Sequence, residues 1–288
     1  TYIPPTSSQQ TNSHSHFITL NSVENIQTDF SGGNVSGAGI IGSPYGSGLG
    51  GASTTIQLEF TQDEIEKELK SLGANFETLA YDDLINQTSD ALSNEKAIGW
   101  FQGRMEFGPR ALGGRSILGD PRSETMQKNL NLKVKYRESF RPFAPSILKN
   151  DVSDWFNLNV DSPYMLIVSD VKKEKIIKMN EDQQKLFGID KLNIKRSEIP
   201  AVTHVDYSAR IQTVDKNTNP KYFNLLSRFK EITGCPVLVN TSFNVRGEPI
   251  VNTPKDAFNC FMGTELDNLV IGNFYLEKKE QDKNLKKD

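Results

Sequence analysis

Apolar positions are scarce and without period over residues 1–55 and become periodic only from Phe60 onward. Thr61-Gln-Asp-Glu64 has capping-box spacing and Ile65 and Leu69 follow four apart, so a helix is predicted over about 62–72, with Gly73 as its stop. Leu84, Ile85, Thr88 and Leu92 share one face of a second predicted helix, about 81–94. At Ala97 the period changes: AIGWFQG is short, apolar and closed by glycine, the pattern of a buried strand. Residues 104–119 carry four glycines and Pro109 among Arg, Glu and Phe, and read as a loop whose backbone can approach a ligand closely. A helix over about 122–133 follows Pro121, and 140–148 reads as a strand.

Further along, Asp151–Phe156 reads as a helical turn, Tyr164–Val171 as a core strand and 172–198 as a Lys- and Glu-rich surface insertion. Strands are predicted at 199–205 and 210–214, an amphipathic helix at 220–233 and a buried strand at 236–240. Thr253-Pro254 opens another helix, and 268–276 closes the core as a last strand. Strands and helices alternate without a strict rhythm, which predicts an α/β or α+β open sheet. The segment before it is rich in Ser, Thr, Asn, Gly and Gln and has no Lys or Arg, the composition of a polar flexible arm or the remnant of another domain. Its glycine run GSPYGSGLGGAS lacks the Lys-Ser/Thr ending of a phosphate loop, and His14 and His16 lack companions for a metal site. The predicted organisation is therefore an arm at 1–55, a helical linking segment at 56–95, a domain at 96–277 and a charged tail at 278–288.

Charge sharpens this picture. The net charge of -3 argues against a general nucleic-acid binder. Yet six of the ten arginines fall between residues 104 and 141. Arginine offers a planar fork that matches phosphate and carboxylate oxygens, so the cluster suggests a focused anion site; a solvated face is the plainer reading. Arg104 and Arg115 are equally read as partners of Glu106 and Asp120. The two cysteines, Cys235 and Cys260, lie in apolar runs, as buried thiols of a reducing compartment do. No apolar run approaches the ~20 residues of a membrane helix, and the chain reads as cytoplasmic with no membrane partner.

Nine polar side chains at strand ends or in glycine-containing loops are the candidates for chemistry: Arg110, Lys135, Arg137, Arg141, His204, Arg210, Ser242, Asn244 and Arg246. Lys135-Tyr-Arg137, if extended, points two cations to one side, and Ser242-Phe-Asn244 repeats that spacing with a hydroxyl and an amide. Such groups suit a small planar anion and the phosphates of a nucleotide. With no nucleophile beside a base and no carboxylate pair, the pattern points to a reaction run by positioning and charge neutralisation. His204 reads equally as a hydrogen-bonded core histidine, and Asn240 and Asn244 as groups that satisfy loop backbone.

The blocks GWFQGRMEFGPRALGGRSILGDPR, VKYRESFRPFAPSIL, SPYM, IPAVTHVDYSARIQTV and TGCPVLVNTSFNVRGEPIVNTPKDAF resemble, in order, the C-terminal domain of the O-carbamoyltransferases of nodulation-factor and antibiotic biosynthesis, over about residues 96–277. The resemblance implies a YrdC-like twisted open sheet with flanking helices, preceded by the polar arm and two linking helices. It further implies formation of carbamoyl-adenylate from carbamoyl phosphate and ATP, with Mg2+ accompanying the nucleotide and no structural metal. Lys135/Arg137 and Ser242/Asn244 match the family's Lys-x-Arg and Ser-x-Asn signature, and Arg110, Arg141 and Arg210, with His204 and Arg246 near them, would contact substrate or nucleotide. Two positions depart from the pattern: Gly114 stands where the family has Asn, and Tyr207 where it has glycine. The family's actin-like transfer domain, with its His-x-x-x-His metal motif, has no counterpart in the polar arm, so a separate transfer domain is the expected partner. The second reading is a non-catalytic nucleotide-binding or scaffold module of the same fold.

Overall fold

The first helix, α1 (Gln62–Ser71), begins at the predicted capping box: the Thr61 hydroxyl accepts from the Glu64 N–H and the Glu64 carboxylate accepts from the Thr61 N–H. The computed structural model describes residues 59–192 and 194–285, apart from the side chains of 189 and 190, all within the unit Gln57–Asp288. The polar arm, with His14, His16 and the glycine run, lies outside the described residues. After α1 come β1 (Glu77–Thr78), α2 (Tyr81–Ser93), β2 (Ile98–Phe101), β3 (Arg115–Gly119), α3 (Met126–Lys133) and β4 (Ala144–Leu148). Then follow α4 (Val152–Trp155), β5 (Ile167–Asp170), the short α5 (Glu181–Lys185) and α6 (Gly188–Leu192), and β6 (Ser208–Val214). The chain closes with α7 (Pro220–Thr233), β7 (Val237–Ser242), α8 (Pro254–Gly263), β8 (Asn268–Ile271) and β9 (Phe274–Glu277). Local chemistry sets the bounds of α7, with Asn219 capping Tyr222 N–H, Pro220 in the first turn and Gly234 at φ 75° ending it.

The strands form one mixed sheet in the order β1-β9-β8-β2-β3-β7-β4-β6-β5. β2 runs parallel to β8 and β4 to β6, and the other neighbours are antiparallel. This mixed α/β sheet is the predicted class. Ile65 and Leu69 of α1 and Leu84, Ile85 and Leu92 of α2 share one hydrophobic core with the sheet strands. In the stretch read as a charged tail, Gln281 is buried and its amide exchanges two hydrogen bonds with the Asn75 backbone, at 3.0 and 2.7 Å.

Four predicted elements are corrected. Part of the glycine-rich loop, Arg115–Gly119, is the fully buried strand β3 between β2 and β7. Residues 164–171 are no core strand: only Ile167–Asp170 form a strand, at the sheet edge, with Val171 bridging Phe156, and Tyr164, Leu166 and Val168 are exposed. At 199–205, Pro200 withholds a ladder donor and the chain makes the 3₁₀ turn Pro200–Val202 instead. The last strand is a hairpin, β8–β9, turned at Gly272 with φ 57°.

Candidate functional site

Strand directions gather the candidates at one end of the sheet. Ser242 ends β7 opposite Ser116 near the start of β3, and Asn240 lies opposite Ala144 at the start of β4. Because β6 is parallel to β4, with Gln212 level with Ser146, its opening residues and His204 just before them reach the same end. The connections carrying Arg110, Lys135, Arg137 and Arg141 enter β3 and β4 there.

Lys135 is the buried centre of one group. It is 5% exposed, and its Nζ donates to Ser242 O, to Asn244 O at 2.8 Å and to Asn244 Oδ1 at 2.7 Å, with Ser242 Oγ at 3.3 Å. The Ser242 hydroxyl in turn donates to Asn244 Oδ1 at 2.7 Å. The two signature pairs therefore meet through direct hydrogen bonds across 107 residues of chain. Burial, reinforced by repulsion from Arg137, pulls the Lys135 ammonium down to about 7. The pair is not extended, as the sequence reading assumes: Tyr136 sits at φ 46°, a left-handed conformation that non-glycine residues rarely adopt. That twist turns Lys135 inward. Arg137 instead donates from Nε to Asn131 Oδ1 at 2.5 Å and lies over the Phe143 ring at 4.8 Å. Partial burial and the charge of Arg141 bring Arg137 down to about 10. Arg141 itself is exposed.

Arg210 on β6 anchors a second group. Its guanidinium is held below the usual range, first by burial and then by repulsion from Arg110. His204, half-buried, is likewise lowered by burial, opposed by Asp206 and assisted by Arg210, so at pH 7 it is a neutral imidazole. Arg246 is exposed on the turn beyond Asn244. Among the described residues Arg110, Arg137, Arg141, Arg210 and Arg246 form no ion pair with a carboxylate. Five unneutralised guanidiniums at one end of a sheet attract anions. No group of three His, Cys, Asp or Glu side chains among the described residues is placed to hold a metal ion.

The remaining arginines of the cluster have partners within the protein. Arg104 pairs with Glu59 at 3.1 Å on the surface, and Arg122 takes Asp120 through both carboxylate oxygens. Arg115 is fully buried, stacked 3.4 Å over Phe101 and donating to the carbonyls of Gln102, Gly103 and Gly114. Glu106 Oε1 accepts from the N–H groups of Leu112, Gly114 and Arg115, folding the loop onto itself. Both departures from the family pattern fall on tight backbone. A Cβ at Gly114 would lie 2.8 Å from Arg104 O, and Tyr207 is held at φ 66°, where glycine would be unstrained. At Gly113, φ is 106° and a Cβ would meet the Tyr222 ring at 2.4 Å. Gly113→Ala is expected to cost about 2 kcal/mol, combining backbone strain with overpacking. A urea midpoint unchanged from wild type would contradict that expectation.

Sequence reasoning missed Asn131, Ser146 and Gln212. Asn131, fully buried in α3, holds Arg137 and also donates to the carbonyls of Ser139 and Arg141. The available signal for the other two was a polar residue at a buried position within an apolar strand, APSIL and ARIQTV.

The family model described as carbamoyltransferase C-terminus matches residues 89–278. An uncharacterised Synechocystis protein is 57% identical over 232 residues, covering 80% of this chain and 38% of that protein. Nodulation protein NolNO of Sinorhizobium fredii is 40% identical over 218 residues, covering 75% and 29%. The 3'-hydroxymethylcephem-O-carbamoyltransferase of Amycolatopsis lactamdurans is 34% identical over 195 residues, covering 68% and 33%. The chain thus spans about a third of the length of these relatives. A solved structure of full-length HypF in phosphate- and nucleotide-bound form overlaps 64% of this chain and 20% of that one, at 16% identity and a TM-score of 0.39, too distant to carry weight.

Proposed function

The chain belongs to the carbamoyltransferase C-terminal family, and from that premise we propose that this domain forms carbamoyl-adenylate from carbamoyl phosphate and ATP. Water splits carbamoyl phosphate into carbamate and inorganic phosphate, and the carbamate oxygen attacks the ATP α-phosphorus with release of pyrophosphate, leaving the carbamoyl group for transfer to an acceptor hydroxyl by a separate domain. The observation that carries the reading is that the hydrogen-bonded Lys135–Ser242–Asn244 cluster and five arginines without carboxylate partners among the described residues lie at the same end of the sheet. Both substrates are polyanions, and bringing them together needs charge neutralisation and fixed orientation more than a protein nucleophile. Arg137 and Arg141 would neutralise the acyl phosphate, and Arg110 and Arg210 the nucleotide phosphates. Lys135, hydrogen-bonded to Ser242 and Asn244, would hold those two groups in place to orient the carbamate and, in the fraction protonated near pH 7, add positive potential from behind. Mg2+ would enter on the ATP phosphates, since the residues here are guanidinium, amide and hydroxyl groups rather than carboxylates.

The reading requires that the chain exchange radiolabelled pyrophosphate into ATP only when carbamoyl phosphate is present. Binding of ATP without any exchange would sink it, and would point to the nucleotide-binding module instead.

A further inference from the structure

The segment that carries Arg110 is fastened to the sheet by buried side chains that belong to no signature motif. Asn240 on β7 donates both amide hydrogens, one to Ala111 O at 3.0 Å and one to Gln212 Oε1 at 2.8 Å. Gln212 on β6 donates to Leu112 O at 2.8 Å, and its Oε1 also accepts from the Ser146 hydroxyl at 2.6 Å. Trp100 donates from Nε1 to Gly113 O at 2.9 Å. Three successive carbonyls, 111 to 113, are thereby pinned from strands β7, β6 and β2. Asn240, Gln212, Ser146 and Trp100 are each less than one-tenth exposed.

Two details set this network apart from ordinary core packing. Asn240 Oδ1 and Arg210 Nε are both buried without a hydrogen-bond partner. An orphaned buried polar atom is costly, so the amide is retained for its donors, both of which serve the loop network. The network also works against electrostatics: Arg110, the residue just before the pinned carbonyls, lies close enough to Arg210 for the two charges to repel. With no anion between them, two like charges on a free loop would move apart.

We propose that Asn240 and Gln212 are positioning residues that hold Arg110 beside Arg210 as a preformed two-arginine clamp for a phosphoryl group of the substrate. This rests on the proposed adenylate-forming reaction for the identity of the phosphoryl group, but the clamp itself is tested with inorganic pyrophosphate. Preorganisation places the cost of bringing the two cations together in the fold, so less of it falls on anion binding.

The test is calorimetric titration of the 288-residue chain with inorganic pyrophosphate. Arg110→Ala is expected to weaken binding at least about tenfold, and Asn240→Ser and Gln212→Met each about fivefold to tenfold. In combination, Arg110→Ala with Asn240→Ser should bind no more weakly than Arg110→Ala alone, because the tether acts only through that arginine. Arg141→Ala with Asn240→Ser should show the product of the separate effects. Variants are compared at matched far-UV circular dichroism, and Gln212→Met, close in volume to the native residue, decides the matter if Asn240→Ser does not fold. Wild-type-like binding by the folded tether variants, independent effects of Arg110→Ala and Asn240→Ser, or no pyrophosphate binding by wild type would each overturn the clamp. Coupling without carbamoyl-phosphate-dependent exchange would leave the clamp standing and remove the adenylate reading; exchange without coupling would do the reverse.

Discussion

Lys135→Ala is expected to lower carbamoyl-phosphate-dependent pyrophosphate exchange by about a thousandfold or more, an effect at the upper end for one electrostatic group in a preorganised site. The magnitude follows from what the ammonium holds. Its Nζ bridges Ser242 and Asn244 through their carbonyls and Asn244 Oδ1, and the Ser242 hydroxyl is oriented by the same amide oxygen. Without the amine, those oxygens face one another unbridged, and the turn from β7 loses the group that ties it to the end of α3. Positive potential beneath Arg137 and Arg141 is lost at the same time. Lys135→Arg should fail to rescue exchange, because a planar guanidinium does not fit a compact cage that suits an ammonium. A Lys135→Ala enzyme retaining a tenth of wild-type exchange would show that the cage is incidental to the reaction.

The parts of the fold visible in the sequence are those whose cause is local. The capping box at Thr61, the Asn219-Pro220 start of α7 and its Gly234 stop all act within one or two helical turns, and each element lies where its residues place it. Strand β3 was hidden for a physical reason. Its Arg115 reads as loop or surface, and only in the folded chain do the Phe101 ring and three carbonyls make a buried guanidinium tolerable. Tyr164–Val171 erred in the opposite direction, since an apolar run does not reveal whether a strand lies at the centre or the edge of a sheet.

The candidate site shows the same division. Residue types and spacing identified the cations and the Ser-x-Asn pair, and family resemblance supplied a reason to join them. The contact between Lys135 and Ser242–Asn244 depends on a left-handed Tyr136 and on β7 lying beside both β3 and β4. Neither is written in local periodicity. Gln212 and Ser146 were missed because a polar residue at a buried strand position acquires meaning only from its neighbour across the sheet.

Stability should rise from pH 7 to pH 9, level off, and fall above about pH 10. Two lysines, Lys135 buried and Lys221 half-buried, drive the rise: burial and Arg137 bring Lys135 to about 7, and partial burial brings Lys221 to about 8, both against an ordinary 10.5. Between the folded and unfolded values, the unfolded chain carries a proton that the native chain has shed, so raising the pH favours the native state. At about 1.4 kcal/mol per proton per pH unit, Lys135 acting from pH 7 and Lys221 from pH 8 give a gain of about 4 kcal/mol by pH 9. Above that the sign turns. Burial pushes the thiols of Cys235 and Cys260 up to about 12 from an ordinary 9.0, and it also raises Tyr222 and Tyr275. These groups stay protonated in the native chain after the unfolded chain has released its protons, which favours unfolding as the pH climbs further. Urea midpoints measured at pH 7, 8, 9 and 10.5 would trace this dome, and Lys135→Met should flatten its rising limb while leaving the falling one. A midpoint that declines steadily from pH 7 to pH 9 would mean that Lys135 keeps its proton through that range, held as a full ammonium by the oxygens of Ser242 and Asn244.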